Sequence, residues 1–213
     1  MSTSLWDQSI RHFIQHAASP QPTPGGGSIA ALVGALAASM TSMVGHLSQS
    51  DKYADVRPQM DDAIDTMNRL ISQCEQILQE DIEAFNTYMQ AYRLPKVTDE
   101  EKKIRSHALQ QAAVSAIEVP IRLIELCRSG VVSTHSIAHT SNPNVISDLA
   151  IGSILFEAAA QSALLTIEIN LASLKDEALI QHYKHQLAQC MPAIEQLKRS
   201  TLQVTRDRLK AES

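Results

Sequence analysis

The sequence predicts an all-α fold, an up-and-down antiparallel helical bundle forming one domain over residues 1–213. Three observations carry this. Apolar residues recur at spacings of three and four over long stretches, no segment keeps the apolar/polar alternation of a half-buried strand, and aromatics make up only 4% of the chain. With 213 residues the chain can bury a substantial core.

The first helix is expected over Leu5 to Ala18, with Trp6, Ile10, Phe13, Ile14 and Ala17 on one side and a stop at Ser19-Pro20. Next comes Pro22-Thr23-Pro24-Gly25-Gly26-Gly27-Ser28, too rich in proline and glycine for a helix interior. Ser28 is read as the N-cap of the charge-free, alanine-rich segment from Ile29 to Leu47. The remaining first-turn amides and the positive dipole end could then meet a carboxylate or phosphate. The loop is thus either a ligand seat or a tight turn that redirects the chain.

The segment from Ile29 to Leu47 approaches the length of a membrane span. Ser39, Thr41, Ser42, Gly45 and His46 dilute its apolarity and no aromatic or basic belt brackets it, so it is read as a helix buried at the bundle centre. Ile29, Leu32, Val33, Leu36, Met40, Met43, Val44 and Leu47 form one stripe, and Ala30, Gly34, Ala37, Thr41 and Gly45 a second stripe of small groups. Such a small-residue stripe suits close helix approach or a dimer axis, and a homodimer is expected.

A third helix starts with Pro58 in its first turn and keeps its period to about Tyr92. Arg93-Leu94-Pro95-Lys96 breaks it, and Thr98 with Glu101 is a capping signature for the next helix, which Pro120 should kink or divide. A break at Ser141-Asn142-Pro143-Asn144 precedes an apolar helix led by Ser147 and Asp148 that runs to about Leu171. Lys175-Asp176 marks the last connection, before a polar helix from Glu177 toward Lys210.

Composition excludes several functions. The net charge of -5 offers no basic surface for nucleic acid. Cys74, Cys127 and Cys190 are widely spaced and odd in number, and the polar start from Met1 lacks the regions of a signal peptide, so reduced thiols in a cytoplasm are expected. His12 with His16 and His135 with His139 have a metal-compatible spacing but lack the acidic partner of a His-Glu-x-x-His motif, and no metal is expected. No Walker, dinucleotide or Gly-x-Ser-x-Gly motif is present.

Other residues stand in positions where chemistry is possible. Asp81 lies within the third helix among apolar neighbours, either on a solvated face or in a site. Lys96 serves either an anionic ligand or a helix C-terminus. Asp148 sits in a first turn, where the dipole alone could account for it. Glu168 and Asn170 end an apolar helix, where polar groups need partners or a wet pocket.

Taken together, the glycine loop with its Ala/Gly-rich helix, Asp81-Ile-Glu-Ala-Phe85, Ala91-Tyr-Arg-Leu-Pro-Lys96, Glu101 with Arg105, Glu118-Val119-Pro120, Asn142 with Ser147-Asp148, and Ile169-Asn170-Leu171 with Asp176 resemble the motifs, in order, of the cyclodeaminase/cyclohydrolase family. These are the proteins related to the C-terminal domain of formiminotransferase-cyclodeaminase. The resemblance implies a helical, usually dimeric fold and chemistry on a one-carbon unit of tetrahydrofolate. The unit is either a 5-formimino group closed to 5,10-methenyl with loss of ammonia, or a 5,10-methenyl bridge opened by water to 10-formyl. It implies no metal or redox cofactor, the tetrahydrofolate derivative being the substrate. By motif it assigns Asp81 and Asp148 as carboxylates beside the reacting carbon, with Lys96, Asn142 and Asn170 orienting the pterin or the leaving nitrogen. Gly25, Gly26, Gly27 and Ser28 line the ligand seat. Ser141 and Thr166 depart from the family pattern, and only Lys52 remains of the basic cluster usual after the glycine-loop helix, so a catalytically silent folate-binding or regulatory helical relative is the alternative.

Overall fold

The computed structural model describes residues 5–211; the first four and last two residues, including the polar start read above, lie outside the described residues. The described residues form six α-helices: α1 (Ile10–Ala17), α2 (Gly26–His46), α3 (Arg57–Tyr92), α4 (Asp99–Ser136), α5 (Ile146–Leu171) and α6 (Glu177–Ala211). Short 3-10 turns at Leu5–Asp7, Asp51–Val56 and Pro143–Val145 complete the regular structure, with no strand among the described residues.

Helix α2 is the hub. It lies antiparallel to α3, since Gly45 approaches Ile64 and Gly27 approaches Asp81, and antiparallel to α5, since Gly152 approaches Thr41 and Gly34 approaches Ala159. Helix α4 crosses on the far side, joined through the hydrogen bond between the Thr41 and Thr134 hydroxyls, 2.8 Å. Helix α6 packs outside α4 and α5, where Lys198 pairs with Glu157. A large core spans the bundle, and a smaller cluster around Val44, Met60, Ile146 and Leu149 fills the end where α2 finishes.

Local signals explain most boundaries. Pro58 occupies the first turn of α3, and Thr98 and Glu101 close a full capping box on α4. Two expectations are corrected. The first helix is broken at Ser9, whose hydroxyl accepts from the His12 amide as N-cap; only Phe13 of α1 is buried, and Ile10 and Ile14 face outward. Of the two outcomes expected at Pro120, division does not occur, since α4 runs through it.

The stripes of α2 are buried in inverse order to their bulk, apart from Val44, which is fully buried, and Leu32, Val33, Met40 and Met43, which are half-buried. The small groups Ala30, Gly34, Ala37, Thr41 and Gly45 are buried against neighbouring helices, while Ile29, Leu36 and Leu47 are exposed. Close approach explains this, because a β-carbon on Gly34 would meet Cys74 Sγ at 3.2 Å and one on Gly45 would meet Ile64 at 2.8 Å. On α5 Ile151, Ile154, Leu165 and Ile169 are likewise exposed. Helix α2 and the segment Pro143–Leu171 are long and apolar enough to cross a membrane, yet 61% and 44% of their most apolar windows are already buried in the bundle.

Candidate active site

Because α3 runs back along α2, Asp81 arrives at the first turn of α2. Its Oδ2 accepts from Ser28 Oγ at 2.8 Å, and the Ser28 backbone N–H donates to the same carboxylate. A β-carbon on Gly27 would lie 2.1 Å from Asp81 Oδ1, so only glycine admits the carboxylate at this distance. Ser28 is therefore not the N-cap. Gly25, in extended conformation and without a side-chain bond, takes that position, and Gly26 and Gly27 are helical. The orphan Ser28 amide of the first turn finds its anion on a neighbouring helix, which takes the place of a local capping side chain.

Burial pushes the Asp81 carboxyl above its ordinary value near 3.8, outweighing the bonds from Ser28 that pull it down. Such a group holds a proton more readily than a free aspartate and can exchange it with a substrate.

Asp81 opens onto a cleft of about 710 Å³ between α2, α3, α4 and α5. One wall is Thr23 with Gly25, Gly26 and Gly27; another is Phe85, Tyr88 and Met89; Val119, Leu165 and Ile169 supply further apolar surface, with Thr166 and Asn170 at its far side. No β-carbon placed on Gly26 would meet any atom within 4 Å, so its backbone faces open space. Phe85 and Tyr88 were not singled out as site residues from the sequence. Their signal was present: they follow Asp81 by four and seven positions and so share its helical face.

Asn170 has a defined task. Pro120 has no N–H to give the carbonyl four residues earlier in α4, that of Ala116. Asn170 Nδ2 donates to this Ala116 carbonyl at 3.0 Å, tying α5 to α4. Asn170 also lines the cleft. Glu168, read beside it as needing a partner, is exposed.

The remaining expected residues do not join this cleft within one chain. Lys96 is exposed and lines a neighbouring cleft that shares Tyr88 as a wall. Asn142 is spent on structure: its N–H donates to Ser48 Oγ at 2.8 Å, its Nδ2 to the Leu47 carbonyl at 3.0 Å, and its Oδ1 accepts from the Asn144 amide at 3.1 Å. These bonds hold the break before α5 to the end of α2. Asp148, partly buried in the first turn of α5, lies at the same end. From Gly27 to that end is about 25–30 Å along α2, too far for Asp81 and Asp148 of one chain to meet at a single carbon.

Among the described residues no group of three or more His, Cys, Asp or Glu side chains is arranged to hold a metal. His12 and His16 pack edge to face with ring centres 6.2 Å apart, and His135 Nδ1 lies 3.1 Å from Thr201 Oγ1.

Comparison with known proteins places this geometry in a family. Residues 9–189 match the family model described as formiminotransferase-cyclodeaminase. The chain is 35% identical over 173 residues to a methenyltetrahydrofolate cyclohydrolase of Methylorubrum extorquens, covering 81% of this chain and 83% of that protein. It is 32% identical over 192 residues to the formimidoyltransferase-cyclodeaminase of Mus musculus, covering 87% of this chain but 34% of that longer protein. Its fold superposes on the crystal structure of formiminotetrahydrofolate cyclodeaminase from Thermotoga maritima with a TM-score of 0.87 at 26% identity, covering 96% of this chain and 99% of that one. With its glycine loop closed on Asp81 and these relatives matched over most of its length, the chain belongs to the formiminotransferase-cyclodeaminase family.

Proposed function

We propose that the protein is an enzyme of folate one-carbon chemistry, making or breaking a C–N bond at the one-carbon unit between N5 and N10 of tetrahydrofolate. The observation that carries this reading is the half-buried Asp81 carboxyl, proton-retentive and fixed by Ser28, at the mouth of an apolar cleft of about 710 Å³. The cleft suits a flat bicyclic ligand: apolar side chains take the ring faces, and Asn170 Oδ1 takes a ring N–H.

Both candidate reactions pass through an amidinium-like carbon. In ring opening, water adds to the methenyl carbon, the bond to N5 breaks, N5 takes a proton, and 10-formyltetrahydrofolate results with one proton released. In ring closure, N10 adds to the carbon of the protonated formimino group, the N10 proton passes through Asp81 to the amino nitrogen, and ammonia leaves to give the methenyl cation. Asp81 stabilises the cation as carboxylate and accepts the proton of the attacking water or of N10. Desolvation strengthens the first effect, and the raised proton affinity favours the second.

The site is completed by a second copy of the chain. The large apolar residues Ile29, Leu36 and Leu47 of α2 and Ile151, Ile154, Leu165 and Ile169 of α5 are exposed on two helices packed side by side, a surface of the kind that oligomers cover. A two-fold axis crossing the middle of α2 sets the glycine-loop end of one protomer against the Asp148 end of its partner. This arrangement supports Asp148 as the second carboxylate, and it also covers Leu165 and Ile169, the outer wall of the cleft. The unpaired Cys74, Cys127 and Cys190 suit a reducing cytoplasm.

The deciding experiment follows the methenyl absorbance in parallel with 5,10-methenyltetrahydrofolate and 5-formiminotetrahydrofolate. Decay of the chromophore in the first identifies the hydrolase, and its growth in the second identifies the deaminase. Folded, dimeric protein silent in both leaves the binding relative as the correct reading.

A further inference from the structure

The turn between α4 and α5 is fastened by the far end of the chain. Arg208, half-buried in the last turn of α6, donates from Nη1 to the Ala138 carbonyl at 2.7 Å and from Nη2 to the Ser141 carbonyl at 2.6 Å, with Ser141 Oγ 3.4 Å from Nη1. Ala138 and Ser141 are fully buried. The planar fork of a guanidinium can serve two carbonyls at once, and its charge suits the negative end of α4. No ion pair among the described residues involves Arg208, so no carboxylate competes with these carbonyls for its donors.

The same turn is held from other sides by α2 and α3. Asn142, next to Ser141, is bonded to Ser48 Oγ and the Leu47 carbonyl. Gln59 of α3 donates to the Ser136 carbonyl at 2.8 Å and accepts from the Thr140 hydroxyl at 3.0 Å. From there the path to Asp148 has no slack. The Asn144 and Val145 amides close the 3-10 turn onto Asn142, and Ile146 and Leu149, on either side of Asp148, are fully buried in the cluster that Val204 of α6 also joins. A shift at Ser141 is therefore passed on to the first turn of α5.

We infer that Arg208 is a positioning residue: through the turn that it clamps, it sets where Asp148 stands for the active site of the partner protomer. The inference rests on the folate reading and the shared site described above, and extends that site to the end of α6. Arg208 acts without touching the substrate. A displacement of about 1 Å in a reacting group can cost on the order of 10²-fold in rate, so a clasp remote from the reacting carbon still governs turnover.

The test uses mixed dimers of Asp81→Asn and Asp148→Asn subunits, whose one intact site takes Asp148 from the first subunit and Asp81 from the second. Arg208→Gln is added to one subunit at a time, and kcat and KM of the mixture are followed by the methenyl absorbance with whichever folate the wild type turns over. In the Asp81→Asn subunit, which supplies Asp148, the substitution should lower the recovered kcat about tenfold with KM within about twofold. In the Asp148→Asn subunit, which supplies Asp81 from about 25–30 Å away along α2, it should add no further loss. A general loss of stability would act alike in both placements. Equal effects in the two placements, or none in either, overturn the proposal, and so does absence of complementation between intact dimers, since Asp148 then serves no neighbouring site. Should Arg208→Gln fail to fold, Arg208→Lys, which keeps the charge without the two-carbonyl fork, takes its place with the same asymmetry expected. A wild type silent with both 5,10-methenyl- and 5-formiminotetrahydrofolate ends the folate reading and this proposal together, whereas an active wild type without the asymmetry ends this proposal alone.

Discussion

Asn170 donates its amide to the carbonyl of Ala116, the carbonyl that Pro120 leaves without a helical partner. A proline inside α4 and an asparagine near the end of α5 thereby form one structural unit. Asn170→Ala should strand a partly buried carbonyl and destabilise the protein by about 1–2 kcal/mol. Pro120→Ala restores the missing N–H, so the same substitution in that background should cost less, with a coupling of at least about 0.5 kcal/mol in a double-mutant cycle of urea melts. Equal costs in both backgrounds would show that the bond is incidental.

Asp81→Asn should separate stability from turnover. The folded state holds the Asp81 proton more tightly than the unfolded chain does, so the associated stability is present in acid and lost as pH rises through the elevated value. At neutral pH the asparagine variant escapes that loss, and its Tm should match or exceed that of the wild type. Its kcat should fall about 10²- to 10⁴-fold. A drop in Tm at pH 7.5 with activity retained would contradict both halves.

Gly26 and Gly27 should differ sharply although they are neighbours. Alanine at 27 places its β-carbon 2.1 Å from Asp81 Oδ1, so Gly27→Ala must displace the carboxylate and should lower activity at least tenfold with a measurable loss of Tm. Alanine at 26 meets nothing within 4 Å and should fold normally. Its effect should appear in KM, because it intrudes on the cleft.

Mixing two inactive proteins tests the shared site. If Asp81 of one protomer works with Asp148 of its partner, Asp81→Asn and Asp148→Asn subunits recombined at equal concentration should recover about a quarter of wild-type activity, because half the dimers are mixed and each carries one intact site. Leu36→Glu, on the exposed face of α2, should yield monomers by light scattering and abolish turnover. Absence of complementation with dimers intact would confine each site to a single chain.

The cysteines should react unequally. Burial pushes the Cys74 thiol up to about 12 and the Cys127 thiol well above its usual range, whereas Cys190 is only half-buried. A chromogenic disulfide reagent should titrate one thiol in the native protein and three after unfolding.

Much of the fold was legible in the sequence because its signals are local. Pro58 at a first turn, the Thr98 and Glu101 box, and the Asn142-Pro143 break all act within a few residues, and each is where it was read. What misled were features settled by distant partners. Ser28 has the chemistry of an N-cap, but its hydroxyl is taken by a carboxylate 53 residues away, so the helix starts earlier. The large residues of α2 look like a core stripe, yet the closest packing inside one chain selects the small ones. Ser9 breaks the first helix through a single hydrogen bond that outweighs the period of Ile10 and Ile14. The separation of Asp81 from Asp148 follows from the antiparallel course of α3 and α5 along α2, which no motif spacing encodes.

The space between Gly27 and Asp81 has a consequence for how this protein can change over generations. Position 27 has no tolerated enlargement while an aspartate stands at position 81, and a longer acid at 81 would have to find room beside a backbone already in contact. The two positions are coupled, and any lineage that enlarges position 27 must move the carboxylate away from the helix start, at a cost to the proposed chemistry. Loss of glycine at position 27 in a descendant would therefore mark a protein in which selection on this carboxylate has relaxed.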